Sequence, residues 1–157
     1  MSLSDTDILS SICRHFDTNF TAATVVPPNT KIDVNSLTDW IDLEFPLHRG
    51  NKRGKQAVET GDVDIVVNAY SKTGQVGSTS LYQPTILTDA VRDLLDRVDI
   101  PIYTLGTSTV IGYVRCGEAE TIPRGRIGSD TGRGELQGTQ LEQSTVTVHA
   151  MTDEKAT

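Results

Sequence analysis

The residues with the most chemistry to offer lie in a basic, glycine-bearing stretch, Gly50-Asn51-Lys52-Arg53-Gly54-Lys55-Gln56, which follows an alternating apolar run and reaches Gly-Lys, as a phosphate-cradling loop would. It departs from such a loop in spacing, in ligand and in context. A phosphate loop places four residues between its glycines, and here there are three; it follows the lysine with Ser or Thr to hold magnesium, and here Gln56 follows; it opens a helix, and here Gly61 leads into another alternating run. The stretch reads instead as an exposed basic hairpin loop. His48, Arg49, Lys52, Arg53 and Lys55 give it the charge to meet a phosphate backbone or an acidic neighbour.

Asp62 and Asp64 project from the same side of a strand and could share a metal, but no third ligand is near in sequence, so the solvated outer face of an amphipathic strand accounts for them better. His15, His48 and His149 are isolated from one another, which leaves a zinc cluster or a Cys/His pair without sequence support. There is no Gly-x-Ser-x-Gly elbow, and Gly132-Arg133-Gly134-Glu135-Leu136-Gln137-Gly138 has the wrong spacing for a dinucleotide. The expectation is a protein without catalytic residues, cofactor or metal. Arg124, Arg126 and Arg133 form a second basic group. Together with the loop at 48–55 they define a rival reading, a nucleic-acid-binding module.

These residues need a scaffold, and the chain of 157 residues is one domain's worth. Hydrophobic residues make up 36% and aromatics 5%. That is lean enough for subunit contacts to supplement the core. A net charge of -7 argues against a protein whose main work is to coat nucleic acid. Cys13 and Cys116 are far apart and fit a reduced intracellular setting as small core residues. No apolar run approaches membrane-spanning length, and the N-terminus is too polar for a secretory signal.

Two alternating runs, residues 40–45 and 62–70, read as neighbouring strands around a long loop at 46–61. A helix is expected over residues 5–16, capped by Ser4 or Asp5, from the spacing of Ile8, Leu9, Ile12, Cys13 and Phe16. Pro27-Pro28-Asn29 marks a turn, with a short strand around 31–34. A second amphipathic helix starts near Pro84, with an apolar stripe from Ile86 to Val98 and Asp93 spaced to pair with Arg97. Strands follow at 100–103, 109–116 and 144–151, and Gly112 suggests a bulge or close approach. A polar, glycine-rich stretch at 118–142 is expected to be a long loop, and 152–157 a flexible tail. The fold class is α+β: a mainly antiparallel sheet with two amphipathic helices packed on one face and long exposed loops. Trp40, the only tryptophan, stands at the start of the first central strand, opposite in face to Phe45, where it either caps the core edge or anchors an interface.

The order of these elements resembles the tail terminator proteins of long-tailed bacteriophages and the related neck and tail-completion (head-tail joining) proteins. The resemblance is carried by Trp40-Ile41-Asp42-Leu43-Glu44-Phe45, Val63-Asp64-Ile65-Val66-Val67-Asn68-Ala69-Tyr70 and the helix at 86–98. It spans most of the chain in order and length and rests on organisation, not on a signature motif. The resemblance implies a structural virion protein, assembled in the host cytoplasm, that forms a hexameric ring at the end of the tail tube. Its implied partners are copies of itself, the tail tube protein and the head-tail connector or stopper protein, with genomic DNA passing through the lumen without sequence-specific binding. The assembly surfaces expected on this basis are the loops 46–61 and 118–142, with Trp40, His48, Arg49, Lys52, Arg53, Lys55, Arg124, Arg126 and Arg133 as interface residues.

Overall fold

Ser4 opens the first helix, α1 (Asp5–Asn19). Its hydroxyl accepts from the Asp7 N–H at 3.1 Å and donates to the Asp7 carboxylate at 2.5 Å. The Ser4 hydroxyl, and then the Leu105 N–H at 2.8 Å, hold the Asp7 carboxyl below its ordinary range. One side of α1 buries Ile8, Ile12 and Phe16. The helix runs past residue 16 to Asn19, whose amide turns back onto the His15 carbonyl at 2.9 Å, while Phe20 packs against Phe16 with ring centroids 6.3 Å apart.

The structure is a computed structural model of the chain that describes residues 3–48, 61–73, 83–127 and 140–155. After α1 come β1 (Thr24–Val26), a 3-10 turn (Val34–Ser36), β2 (Asp39–Glu44), β3 (Leu47–His48) and β4 (Gly61–Thr73). Helix α2 (Gln83–Leu95) precedes β5 (Asp99–Tyr103), β6 (Val110–Ile127) and β7 (Gln140–Glu154). The strands form a 7-stranded sheet in the order β1-β2-β4-β7-β6-β5, with β3 also on β4. Every described strand pair is antiparallel except β1 with β2. β7 is the spine, paired with β4 from Gly61↔Thr152 to Thr73↔Gln140 and with β6 on its other side.

Alternation along the strands sets the layering. Ile41 and Leu43 on β2, Val63, Ile65, Val67 and Ala69 on β4, and Val146, Val148 and Ala150 on β7 share one buried core with Ile8, Ile12 and Phe16 of α1 and Leu87, Val91 and Leu95 of α2. Both helices therefore lie on the same face of the sheet, and the fold is α+β. Each fully buried Ile, Leu or Phe in that layer contributes about 1.5–3 kcal/mol.

Several expectations are corrected. The chain at 31–34 forms no strand; Asp33 instead accepts from Asn35 N–H and the Ser36 hydroxyl and closes the 3-10 turn. The short strand β1 precedes the Pro-Pro turn, and Asn29 takes φ 59 just after it. The stretch 118–142 is not one long loop: β6 continues to Ile127 and β7 begins at Gln140. Residues 152–154, expected in a tail, complete β7. The loop 46–61 contains β3 and ends on the first residue of β4, and its residues 49–60 lie outside the described residues. Helix α2 stops at Leu95, because Asp96 and Arg97 turn the chain, Arg97 with φ 56. Arg97 consequently lies 3.9 Å from Glu118 instead of pairing with Asp93, and Ile86 of the expected apolar stripe is 53% exposed.

Candidate assembly surface

The sheet's second face, away from the helices, carries the opposite alternation. Registers place Glu44, Val66, Thr147 and Glu120 in one row across it, and Asp42, Asn68, Thr145 and Ile122 in the next. Towards the other end follow Asp64 beside His149, and then Asp62, Met151 and Arg115. Met151 and Ile122 are exposed hydrophobics on this face. The face is thus polar, rich in carboxylates and punctuated by apolar side chains, a composition that suits a protein contact better than a small-molecule cleft.

His149, isolated in sequence, joins the two strand aspartates. Its Nδ1 lies 2.8 Å from Asp64 Oδ1 and its Nε2 lies 3.9 Å from Asp62 Oδ1. The hydrogen bond to Asp64, with the charges of Asp64 and Asp62, raises the imidazole above the ordinary histidine value against a smaller opposing effect of burial. The signal that could have located this contact is the register of two alternating runs, 62–70 on 144–151, because it puts Asp64 opposite His149. Among the described residues, no group of His, Cys, Asp and Glu is arranged to hold a metal ion. The imidazole lies between the two carboxylates, hydrogen-bonded to Asp64 and, when protonated, ion-paired with it.

At the other end, a separate small cluster covers the face. Trp40 is 3% exposed and stacks on Tyr70, with centroids 5.2 Å apart and planes at 21°, beside buried Val26 and Leu141, with Ile32 and Leu37 against it. Of the two roles expected for Trp40, the structure places it at a core edge, covered within its own chain. Next to it, Asn68 accepts hydrogen bonds from Thr145 Oγ1 at 2.8 Å and Gln143 Nε2 at 3.2 Å. Burial, and then Glu44, raises the Asp42 carboxyl; burial, and then Asp42 and Glu44, raises the Tyr70 hydroxyl. The half-buried carboxylate and its neighbours make this part of the face electronegative.

Of the expected basic residues, His48, Arg124 and Arg126 fall within the described strands. His48 ends β3 opposite Asp62, which is itself paired with Met151. Arg126 pairs in register with Glu142, and Arg124 falls at an irregularity between Pro123 and Gly125. From Met151 to Glu142 along β7 is nine residue steps, or roughly 30 Å at ~3.4 Å per residue. His48 and Arg126 therefore stand at opposite ends of the sheet. Arg49, Lys52, Arg53, Lys55 and Arg133, and with them the phosphate-loop imitation, lie outside the described residues.

The outer edge of β6 is blunted. Val98 C=O accepts from Cys116 N–H at 2.9 Å, Gly117 C=O accepts from Arg97 N–H at 2.9 Å, and Asp96 Oδ1 accepts from Ala119 N–H at 2.8 Å. Pro123, further along the strand, has no N–H to offer. Neither described thiol is activated: Cys116 is buried and pushed up to about 12 by burial and then by Asp99, and burial also raises Cys13. A shallow groove of about 500 Å³ lies at the end of β2, lined by Pro27, Pro28, Asp42, Glu44, Phe45 and Leu9 among others. No helix among the described residues is long and apolar enough to cross a membrane. No family model matches the chain, and no curated protein matches it.

Proposed function

We propose that this chain is a structural, non-enzymatic protomer of a bacteriophage virion, forming a hexameric ring at the head-proximal end of the tail. The ring ends tail tube growth and joins the tail to the head connector or stopper protein. Its neighbours are other copies of the chain, the tail tube protein below and the connector above, and genomic DNA passes through the lumen without sequence-specific contact. The supporting observation is the placement of both helices on one side of the sheet, which leaves a wide polar face with exposed Met151 and Ile122 on the other. A ring protomer needs such a surface, because each subunit must present complementary patches to two neighbours. The element order that carries the resemblance agrees: helix, strands, helix, then the long β6 and β7.

The test is native mass in solution together with electron microscopy of the protein alone and mixed with purified tail tubes. Rings of uniform size, or caps at one end of the tubes, are the expected result. A protein that stays monomeric and never associates with tubes would overturn the reading. Tight, salt-sensitive retention on DNA without ring formation would favour a nucleic-acid-binding module instead.

A further inference from the structure

We infer that the carboxylate-bearing open face of one copy docks the basic segment 48–55 of the next copy, so that the ring closes through a head-to-tail, charge-complementary contact. The inference rests on the ring reading and specifies its interface. The face supplies Glu44 and Glu120, both exposed, at the two ends of a row whose middle is Val66 and Thr147. Those ends are three strand spacings apart, roughly 14 Å. Asp42 lies beside Glu44 in the next row, and Asp62 beyond Asp64 towards β3. Arg115, His149 and Lys72 on the same face are already engaged, Arg115 with Asp153 at 2.5 Å, His149 with Asp64, and Lys72 with the Asn35 carbonyl at 3.1 Å. Among the described residues negative charge therefore dominates the face, and Met151 and Ile122 add the apolar contacts that a durable interface needs.

The chain also supplies the complement. Of its 14 Lys and Arg residues, Arg49, Lys52, Arg53 and Lys55 fall within one short segment of an otherwise acidic sequence. That segment follows directly on β3. A protomer with an acidic face and a concentrated basic segment is bipolar. Bipolar protomers associate through two different patches, the heterologous contact that generates rings when the rotation closes. Pairing another chain on the β6 edge is less suited to this role, since Asp96 and Pro123 blunt that edge.

Charge reversal on each side separates the outcomes. Glu44→Lys with Glu120→Lys, and separately Lys52→Glu with Arg53→Glu, should each weaken self-association about tenfold or more in low salt, read by sedimentation and native mass. Each reversed protein repels its own copies, but equimolar mixing of the two should restore a uniform ring of alternating subunits, because each reversed face then meets a reversed segment and each wild-type face a wild-type segment. The protein carrying all four substitutions should restore the assembly. Rings that persist unchanged in both reversed proteins would overturn the docking while leaving the ring reading intact. A fall in melting temperature with no change in assembly would assign the segment to its own chain's face and overturn the proposal. A wild-type protein that remains monomeric at high concentration and low salt, and on tail tubes, would overturn both readings.

Discussion

His149 reaches Asp64 across the β4–β7 ladder: Nδ1 and Oδ1 are 2.8 Å apart, although the residues are separated by 85 positions in the chain. The pair makes stability depend on pH with a definite sign. The folded imidazole titrates above the ordinary value of 6.5, so its contribution is complete below that value and is lost as pH rises through the raised one. Because the histidine side chain is 63% exposed, solvent screens the pair and the contribution is at most about 0.5–1 kcal/mol. Urea unfolding of wild type and His149→Gln should show a stability gap at pH 5.5 that narrows by pH 8.5. An imidazole titrating at or below 6.5 by NMR would remove the basis for this expectation.

The stack of Trp40 on Tyr70 makes the single tryptophan a reporter of the second, smaller cluster. Trp40→Ala removes the centre of that cluster and should cost about 3–5 kcal/mol. Trp40→Phe keeps a ring on Tyr70 and should cost about 1.5 kcal/mol or less. Tyr70→Phe gives up only a long 3.4 Å contact to Gln143 and should cost less than about 1 kcal/mol. Denaturant midpoints rank the three. If Trp40→Ala were no worse than Tyr70→Phe, the cluster would not be stabilising this end of the sheet.

Much of the layering is legible in the sequence because it depends on strict alternation, as in Val63, Ile65, Val67 and Ala69 on β4, and on helical spacing, as in Ile8, Ile12 and Phe16. The second half of β6 is not, for a local physical reason. Cys116 and Ala119 both face the core with two residues between them, because the register shifts there, and it shifts again between Pro123 and Gly125. Each shift inverts the alternation, so the sequence from 118 onward reads as loop although its backbone is paired with β7. The end of α2 is hidden because Val98 continues the apolar stripe while Arg97 has already left the helix. The candidate face is half legible: Asp62 and Asp64 stand out, and His149 joins them only through a long-range register.

Asp96 performs a repair that the register shift requires. Ala119 is 3% exposed, and its N–H donates to Asp96 Oδ1 at 2.8 Å. Asp96→Ala should leave that donor unsatisfied and cost about 1–3 kcal/mol, while Asp96→Asn retains an acceptor and should cost less. Hydrogen exchange at the Ala119 amide should speed up in the alanine variant and change little in the asparagine variant. Arg97→Gly should be neutral or stabilising by up to about 1 kcal/mol, since glycine adopts φ 56 without a Cβ penalty and the exposed contact to Glu118 is worth little. A large loss in Arg97→Gly would mean that the side chain, and not the turn, holds this corner.

Gly112 stands out in the sequence as a bulge or a close approach, and both occur there. β5 pairs Ile102 with Gly112 and Tyr103 with Val110, skipping Ile111, and a Cβ at Gly112 would stand 2.5 Å from the Asp153 carbonyl oxygen and 3.1 Å from Leu3 Cδ2. Leu3 can yield, but the carbonyl belongs to the backbone of β7 and moves only with the sheet. Gly112→Ala should therefore cost about 1–3 kcal/mol through steric displacement. Gly106 separates that cause from backbone strain: it has φ 78, and a Cβ there would meet no atom within 4 Å, so Gly106→Ala should cost only about 1 kcal/mol through the dihedral alone. The two substitutions should also differ in remedy. Leu3→Ala added to Gly112→Ala should recover little, because the shorter contact is to the carbonyl; substantial recovery would show that Leu3, and not the Asp153 backbone, is what excludes a side chain at Gly112.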